Sequence, residues 1–185
     1  MNRSTSDAPT SRPFHHSGLG VTVEVPDGWS VEGSETFPLQ LFAPARLGYR
    51  SNLMFSHERF SPPTAEGLAG FLASVRAAQR RDYTDFVEES AEEVEIDGRP
   101  AILQRYHWGP EGPAPAMAQL LALAVVEAGL LLEVDGATTA ALGHEMRPLL
   151  EEILLGIRLG ARRPGDAGPG DAGPGDGRPG DPRPG

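Results

Sequence analysis

Two groupings of residues in this sequence have types and spacings that could serve catalysis. His144 and Glu145 begin the His-Glu-x-x-His pattern of zinc hydrolases, but Pro148 stands where the second histidine is required. Ser56 and His57 are neighbours on a predicted strand, where successive side chains point to opposite faces of the sheet. They cannot therefore act together as nucleophile and base. We expect no catalytic residue in this chain.

Two further groupings could bind a metal ion. His15 and His16 are adjacent, but no third ligand follows at a suitable spacing. The stretch 88–95 contains five glutamates, yet nothing in the sequence fixes three oxygens around one point. A run of charge is typical of a strand at the edge of a sheet, where it prevents pairing with another chain. We therefore expect no metal and no cofactor.

Composition excludes several other classes of protein. The chain has no cysteine, which excludes disulfide bonds and thiolate chemistry. Its net charge of -10 disfavours nucleic acid and anionic membranes as partners. Glu127 and Glu133 interrupt the most apolar segment, so no integral membrane helix is predicted. Residues 1–17 lack the apolar run of a signal peptide. These features predict a cytoplasmic protein.

Composition also divides the chain into three parts. Residues 1–17 are rich in Ser, Thr and Pro, and residues 161–185 repeat Pro, Gly and Asp, so both segments are predicted to be disordered. Residues 18–160 are richer in apolar side chains and are predicted to form one domain. A domain of this size can bury a substantial core without disulfides or metals.

The most apolar segment, residues 116–136, is predicted to form a β-hairpin that turns at residues 127–129. In its first strand, Leu121 and Leu123 fall on one face, while Ala122 and the other even-numbered residues fall on the opposite face. Because both faces are apolar, both must be covered. The small even-numbered side chains leave room for a helix to approach closely.

The remaining elements follow from periodicity and turn residues. Apolar residues spaced three and four apart predict a helix over 64–82, opened by a Thr64 cap. A second helix is predicted after Thr138 or Thr139 and is expected to kink at Pro148. Alternating patterns predict strands at 21–25, 39–43, 51–60 and 101–108. A glutamate-rich strand over 88–95 is predicted to join the last of these through a turn at Asp97 and Gly98, and a short final strand is predicted at 157–159. The predicted fold class is α+β, an antiparallel β-sheet of about six strands flanked by two main helices.

Three stretches carry a resemblance to a known family. The runs VTVEVPDGW, DGRPAILQRYHW and LLLEVDGAT, the last followed by one long helix and GIRL, resemble the LpqN/LpqT family of actinobacterial proteins. That family belongs to the PsbP-like superfamily and is related to DcrB and to the Eag chaperones of type VI secretion. The resemblance implies a PsbP-like fold used for binding rather than for chemistry. It also implies a protein partner, such as a secreted or injected cargo.

Two binding functions follow from these observations. The leading hypothesis is a protein-interaction adaptor or secretion-associated chaperone, which binds its partner or a second copy of itself. The alternative is a carrier of an apolar small molecule or lipid, held between sheet and helix by Leu120, Leu121, Leu123, Leu131 and Met146. The aromatic residues could equally belong only to the core. The predicted partner- or ligand-binding residues are Tyr106, Trp108, Gln119, Leu121 and Leu123.

Overall fold

The computed structural model describes residues 10–62, 64–109 and 114–160. A large antiparallel sheet has one helix on each face, and a small sheet adds to the cover on one of those faces. The elements are β1 (Ser11–His16), β2 (Val21–Pro26), β3 (Ser30–Glu32), β4 (Leu39–Phe42), β5 (Asn52–Arg59), α1 (Ala65–Asp82), β6 (Val87–Ile96), β7 (Arg99–Trp108), β8 (Met117–Glu127), β9 (Leu130–Thr139), α2 (Ala140–Leu155) and β10 (Arg158–Leu159).

The large sheet has seven strands in the order β3-β4-β5-β9-β8-β7-β6. The predicted hairpin β8-β9 lies near its centre, where strands apolar on both faces are expected. The glutamate-rich strand β6 lies at one edge, as its charge predicts. The β6–β7 turn is formed by Asp97 and Gly98, both with positive φ, in agreement with the sequence.

One face of the large sheet, here called the α2 face, is covered by α2 and by β2 of the small sheet. Leu150 and Leu154 of α2 are fully buried against it. A Cβ added to Gly143 of α2 would lie 3.3 Å from the Cβ of Ala118 on β8. The small residues of β8 therefore allow the close approach that the sequence predicts.

The opposite face, here called the α1 face, is covered in part by α1. Leu68 and Leu72 pack there with Leu121, Leu123 and the neighbouring apolar residues. The predicted cap is confirmed, since the Thr64 hydroxyl accepts a hydrogen bond from the backbone N–H at position 67, at 3.2 Å. On β8 the residues that face α1, such as Leu121 and Leu123, are larger than the alanines that face α2, and α1 lies farther from the strands than α2 does.

The prediction of disorder over residues 1–17 is wrong for Ser11–His16, which form β1. This strand pairs with β2 along its whole length. Phe14 packs against the core, and the Ser11 hydroxyl bonds the Glu24 carboxylate at 3.1 Å. It is held to β2 mainly by backbone hydrogen bonds, and these leave no apolar pattern in the sequence. Residues 1–9 and 161–185 lie outside the described residues, so their predicted disorder stays a prediction.

The structure contains more strands than the six or so that the sequence predicts. The additional strands include β1 and β3, which are short or polar, whereas β10 lies within the short final strand predicted at 157–159. The α+β class and both helices are confirmed. On the α2 face, the long hairpin is covered by Val21, Val23 and Val25 of β2 as well as by α2.

Candidate functional site

An open groove lies on the α1 face, between the first half of α1 and the strands β6 and β7. Its volume is about 860 Å³. We call this opening the α1 groove. Its residues are mostly apolar, with two carboxylates among them: Phe60, Thr64, Ala65, Leu68, Ala69, Glu93, Val94, Glu95, Pro100, Ala101, Ile102 and Val125.

The start of α1 is fixed in place by the loop that precedes it. A Cβ at Gly67 would lie 1.8 Å from the carbonyl oxygen of Pro62, so only glycine permits this approach. The N–H of Phe60 donates to the carbonyl of Gly129 at 3.1 Å, which ties the end of β5 to the β8–β9 turn. These contacts hold the helix start near β5 and leave the area over β6 and β7 open.

The second half of α1 is attached to the sheet by a polar network. Arg76 Nη2 donates to Glu88 Oε1 at 2.9 Å. The buried amides of Gln79 and Gln104 bond each other at 3.2 and 3.0 Å, and Gln104 Nε2 also donates to Glu88 Oε2 at 2.7 Å. Each buried amide thereby has a partner, as burial requires. The network fixes α1 at the end away from the groove.

An aromatic cluster continues this network beyond the end of α1. The ring of Tyr83 stacks on that of Trp108, with centroids 4.7 Å apart and planes at 11°. Tyr106 lies 6.2 Å from Tyr83 and 5.5 Å from Phe86. Trp108 Nε1 donates to Gln119 Oε1 at 2.7 Å. Offset stacking of this kind adds stability beyond the buried area alone.

Glu133 and Asp135 are adjacent on the α1 face, because residues two apart on β9 point the same way. Burial, with the nearby Asp135 charge, raises the pKa of Glu133 to about 8. Burial also raises the pKa of Asp135 to about 6. The two carboxyls share a hydrogen bond and so favour holding a proton between them. Burial and the Asp135 charge raise the pKa of Tyr83 as well.

Sequence analysis did not identify this acid pair. A signal was present, since Glu133 interrupts the otherwise apolar run LLLEV and the period of two places it on the face of Asp135. The pair can hold a proton or accept a cationic group. Tyr83 and Tyr106 lie close enough to Asp135 for its charge to act on both.

The structure divides the predicted binding residues into two groups. Tyr106, Leu121 and Leu123 have exposed fractions of 1%, 2% and 0%, so α1 and the aromatic cluster separate them from solvent. Trp108 and Gln119 are half-buried and bonded to each other at the end of the cluster. All five belong to strands β7 and β8 and point to the α1 face. Their role in binding stays a prediction.

The five residues predicted to line a carrier pocket do not come together. Leu120 and Met146 lie in the core on the α2 face, whereas Leu121, Leu123 and Leu131 lie on the α1 face. The prediction of one shared pocket is wrong because Leu120 and Leu121 are successive strand residues and point to opposite faces. The observed groove uses a different set of residues.

Within ranges 10–62, 64–109 and 114–160, no three His, Asp or Glu side chains are grouped so as to hold a metal ion. Neither of the two helices in these ranges has the length and apolar character needed to cross a membrane.

No protein-family model matches this chain, and no curated protein does. Solved structures do. Cyanobacterial PsbP of Synechocystis sp. PCC 6803 aligns with a TM-score of 0.59 at 15% identity, covering 86% of this chain and 98% of its own. LpqN of Mycobacterium tuberculosis, involved in cell envelope biogenesis, aligns with a TM-score of 0.61 at 12% identity, covering 82% and 91%. The Ran-binding protein Mog1p of Saccharomyces cerevisiae aligns with a TM-score of 0.59 at 12% identity, covering 82% of this chain and 96% of its own.

The fold is PsbP-like. This confirms the predicted fold, since the alignments cover most of both chains. At such low identity the likeness concerns the fold alone. Membership of the LpqN/LpqT family stays a prediction.

Proposed function

We propose that this protein is a non-catalytic binding module, a protein-interaction adaptor or secretion-associated chaperone of the LpqN/PsbP-like type. The observation that carries the proposal is the α1 groove, about 860 Å³ in volume and lined mainly by apolar side chains. Exposed apolar surface rimmed by polar residues is typical of protein–protein interaction sites and ligand-binding grooves. Mog1p, which shares the fold, is a Ran-binding protein, so this fold is compatible with recognition of another protein.

The buried polar side chains under the second half of α1, at the end away from the groove, have a structural role. Arg76, Gln79, Glu88 and Gln104 are engaged with one another. Their hydrogen bonds attach α1 to the sheet, and this structural role accounts for their burial.

Trp108 and Gln119 extend the proposed binding surface at the other end of α1. Partly exposed tryptophan is enriched among residues that anchor protein interfaces. Tyr106, Leu121 and Leu123 would then support this surface from below. We further propose a cytoplasmic location and, as partner, a secreted or injected cargo protein or a second copy of this chain.

Site-specific cross-linking tests the proposal. Because the chain has no cysteine, Ala69→Cys places a photo-cross-linker at the groove and Ala141→Cys places one on an exposed alanine of α2. We expect the Ala69 probe, in the native host, to capture a defined protein and the Ala141 probe to capture none above background. Equal capture at the two positions would contradict a binding role for the groove.

The second candidate function, a carrier of an apolar small molecule or lipid, is favoured by the volume of the same groove. Native mass spectrometry of protein purified without detergent separates the two functions. A bound small molecule that disappears in Ala69→Trp, which fills the groove mouth, supports the carrier. A mass equal to the bare chain favours the adaptor.

A further inference from the structure

We propose that the α1 groove selects a partner segment that carries a lysine or arginine close to its apolar residues. The inference rests on the proposed binding function and adds the chemistry of the partner. Two observations carry it. The apolar floor of the groove reaches solvent, and two carboxylates beside that floor have no arginine partner among the described ion pairs, whereas the neighbouring carboxylates do.

The floor of the groove can bind an apolar side chain. Ile102 and Val125 are only half-buried, although Leu123, on the same face of the sheet, is fully buried. Phe60 and Leu68 close one side of the groove. Covering partly exposed apolar area is favourable by about 25 cal/mol per Å². An apolar residue of a partner would therefore gain by entering.

The charge of the groove comes from β6. Its register places Glu93 opposite Ile102 and Glu95 opposite Pro100, directly beside the apolar floor. The lining residues that the structure describes include these two carboxylates and no basic side chain.

The other glutamates of β6 differ from this pair. Glu88, Glu89 and Glu92 form ion pairs with Arg76, Arg147 and Arg105 respectively. Among the described ion pairs, none involves Glu93 or Glu95, although both belong to the same strand. The protein thus neutralises three of the five carboxylates with its own arginines, and the two at the groove are available to a basic residue of the partner.

The start of α1 contributes a partial positive charge at the groove. A helix N-terminus carries about half a positive charge. Here the Thr64 hydroxyl satisfies one of its free N–H groups, and Glu66 lies in the first turn. Two full negative charges on β6 therefore exceed a partial positive charge that is already capped, and the groove favours a cation.

Selection from a display library of random peptides tests this chemistry on the full chain. The chain is immobilised in four forms. They are the wild type, E93Q/E95Q, E35Q/E152Q and Ala69→Trp. E35Q/E152Q is the matched control, because its exposed carboxylates lie away from the groove lining, and Ala69→Trp blocks the groove mouth. Enriched peptides are then measured by fluorescence anisotropy beside versions in which Lys or Arg is replaced by Gln.

We expect the wild type to enrich apolar peptides that contain a nearby Lys or Arg. Replacing that residue by Gln should weaken binding roughly two- to thirty-fold at low salt, the combined effect of two exposed ion pairs. The unchanged peptide should bind E93Q/E95Q more weakly than the wild type by about the same factor, and should bind E35Q/E152Q as tightly as the wild type. Both losses should be smaller at high salt because of screening. Ala69→Trp should bind none of these peptides.

Two other results are distinguishable. Enrichment that Ala69→Trp abolishes but that shows no preference for a basic residue would overturn this inference and leave the proposed function standing. If the wild type enriches no peptide whose binding Ala69→Trp abolishes, the result contradicts both the inference and the role of the groove in binding.

Discussion

The two faces of the large sheet are covered by different means. On the α2 face, alanines of β8 meet a glycine of α2, and Leu150 and Leu154 are fully buried in a continuous apolar core. On the α1 face, the helix is attached by hydrogen-bonded polar side chains at one end and leaves an open groove at the other. The comparison indicates that the α2 face is packed more closely than the α1 face, where the groove stays open.

The cause of this difference lies in the alternation of one strand. In β8, Ala118, Ala122 and Ala124 point to the α2 face, whereas Leu121 and Leu123 point to the α1 face. Small residues permit a close helix, and larger ones hold the opposite helix at a greater distance.

Truncating one leucine on each face gives the largest expected difference. Leu150→Ala should lower the free energy of unfolding by about 2–5 kcal/mol, since its site is fully enclosed and cannot collapse. Leu72→Ala should cost less, about 1–2 kcal/mol, because α1 can settle into the space. Urea denaturation measures both. Equal losses would contradict the proposed difference in packing.

The acid pair on the α1 face should make stability depend on pH. The raised pKa values mean that the folded state binds protons more tightly than the unfolded state. The free energy of unfolding is therefore higher at acidic pH, and it falls as the pH rises through about 6 and about 8. Glu133→Gln removes the ionising group. The variant should match the wild type near pH 5 and exceed it near pH 8 by roughly 1–2 kcal/mol, after allowance for solvent screening.

Urea denaturation across this pH range measures the difference between the two proteins. The comparison with Glu133→Gln is needed because Glu88 and Glu89, whose pKa values are lowered, contribute pH dependence of the opposite sign in acid. A constant difference between variant and wild type from pH 5 to pH 8 would contradict the assignment.

Two helix glycines sharpen the same comparison on a smaller scale. Gly70 of α1 has open space around an added Cβ, so Gly70→Ala should stabilise the protein by about 0.5–1 kcal/mol. Gly143→Ala brings a Cβ to 3.3 Å from that of Ala118, so crowding should outweigh the propensity gain and destabilise by up to about 1 kcal/mol. Thermal unfolding measures both, and stabilisation by Gly143→Ala would show that α2 is less tightly packed than described.

Features set by local chemistry could be predicted from the sequence. Thr64 caps α1, Asp97 and Gly98 form a tight turn, and the glutamates of β6 mark a sheet edge. Each depends on residues close together in the chain. The alternation of β8 likewise predicts that both faces are covered.

The candidate site could not be predicted in the same way. The α1 groove depends on the distance between a helix and a sheet, which is set by Leu121, Leu123 and the polar network together rather than by any local pattern. The strand β1 pairs through its backbone, and its side chains give little sign of it. Glu88 pairs with Arg76, whereas Glu93 has no arginine partner among the described ion pairs. This difference also depends on tertiary structure.

Native-state hydrogen exchange tests most directly the claim that the two faces differ in how firmly they are covered. The amides of Ala65–Asp82 should exchange by local opening, with a free energy clearly below that of global unfolding. The amides of Ala140–Leu155 should exchange only when the whole domain unfolds. Equal protection of both helices at the global value would contradict the claim, because the two faces would then be covered equally firmly.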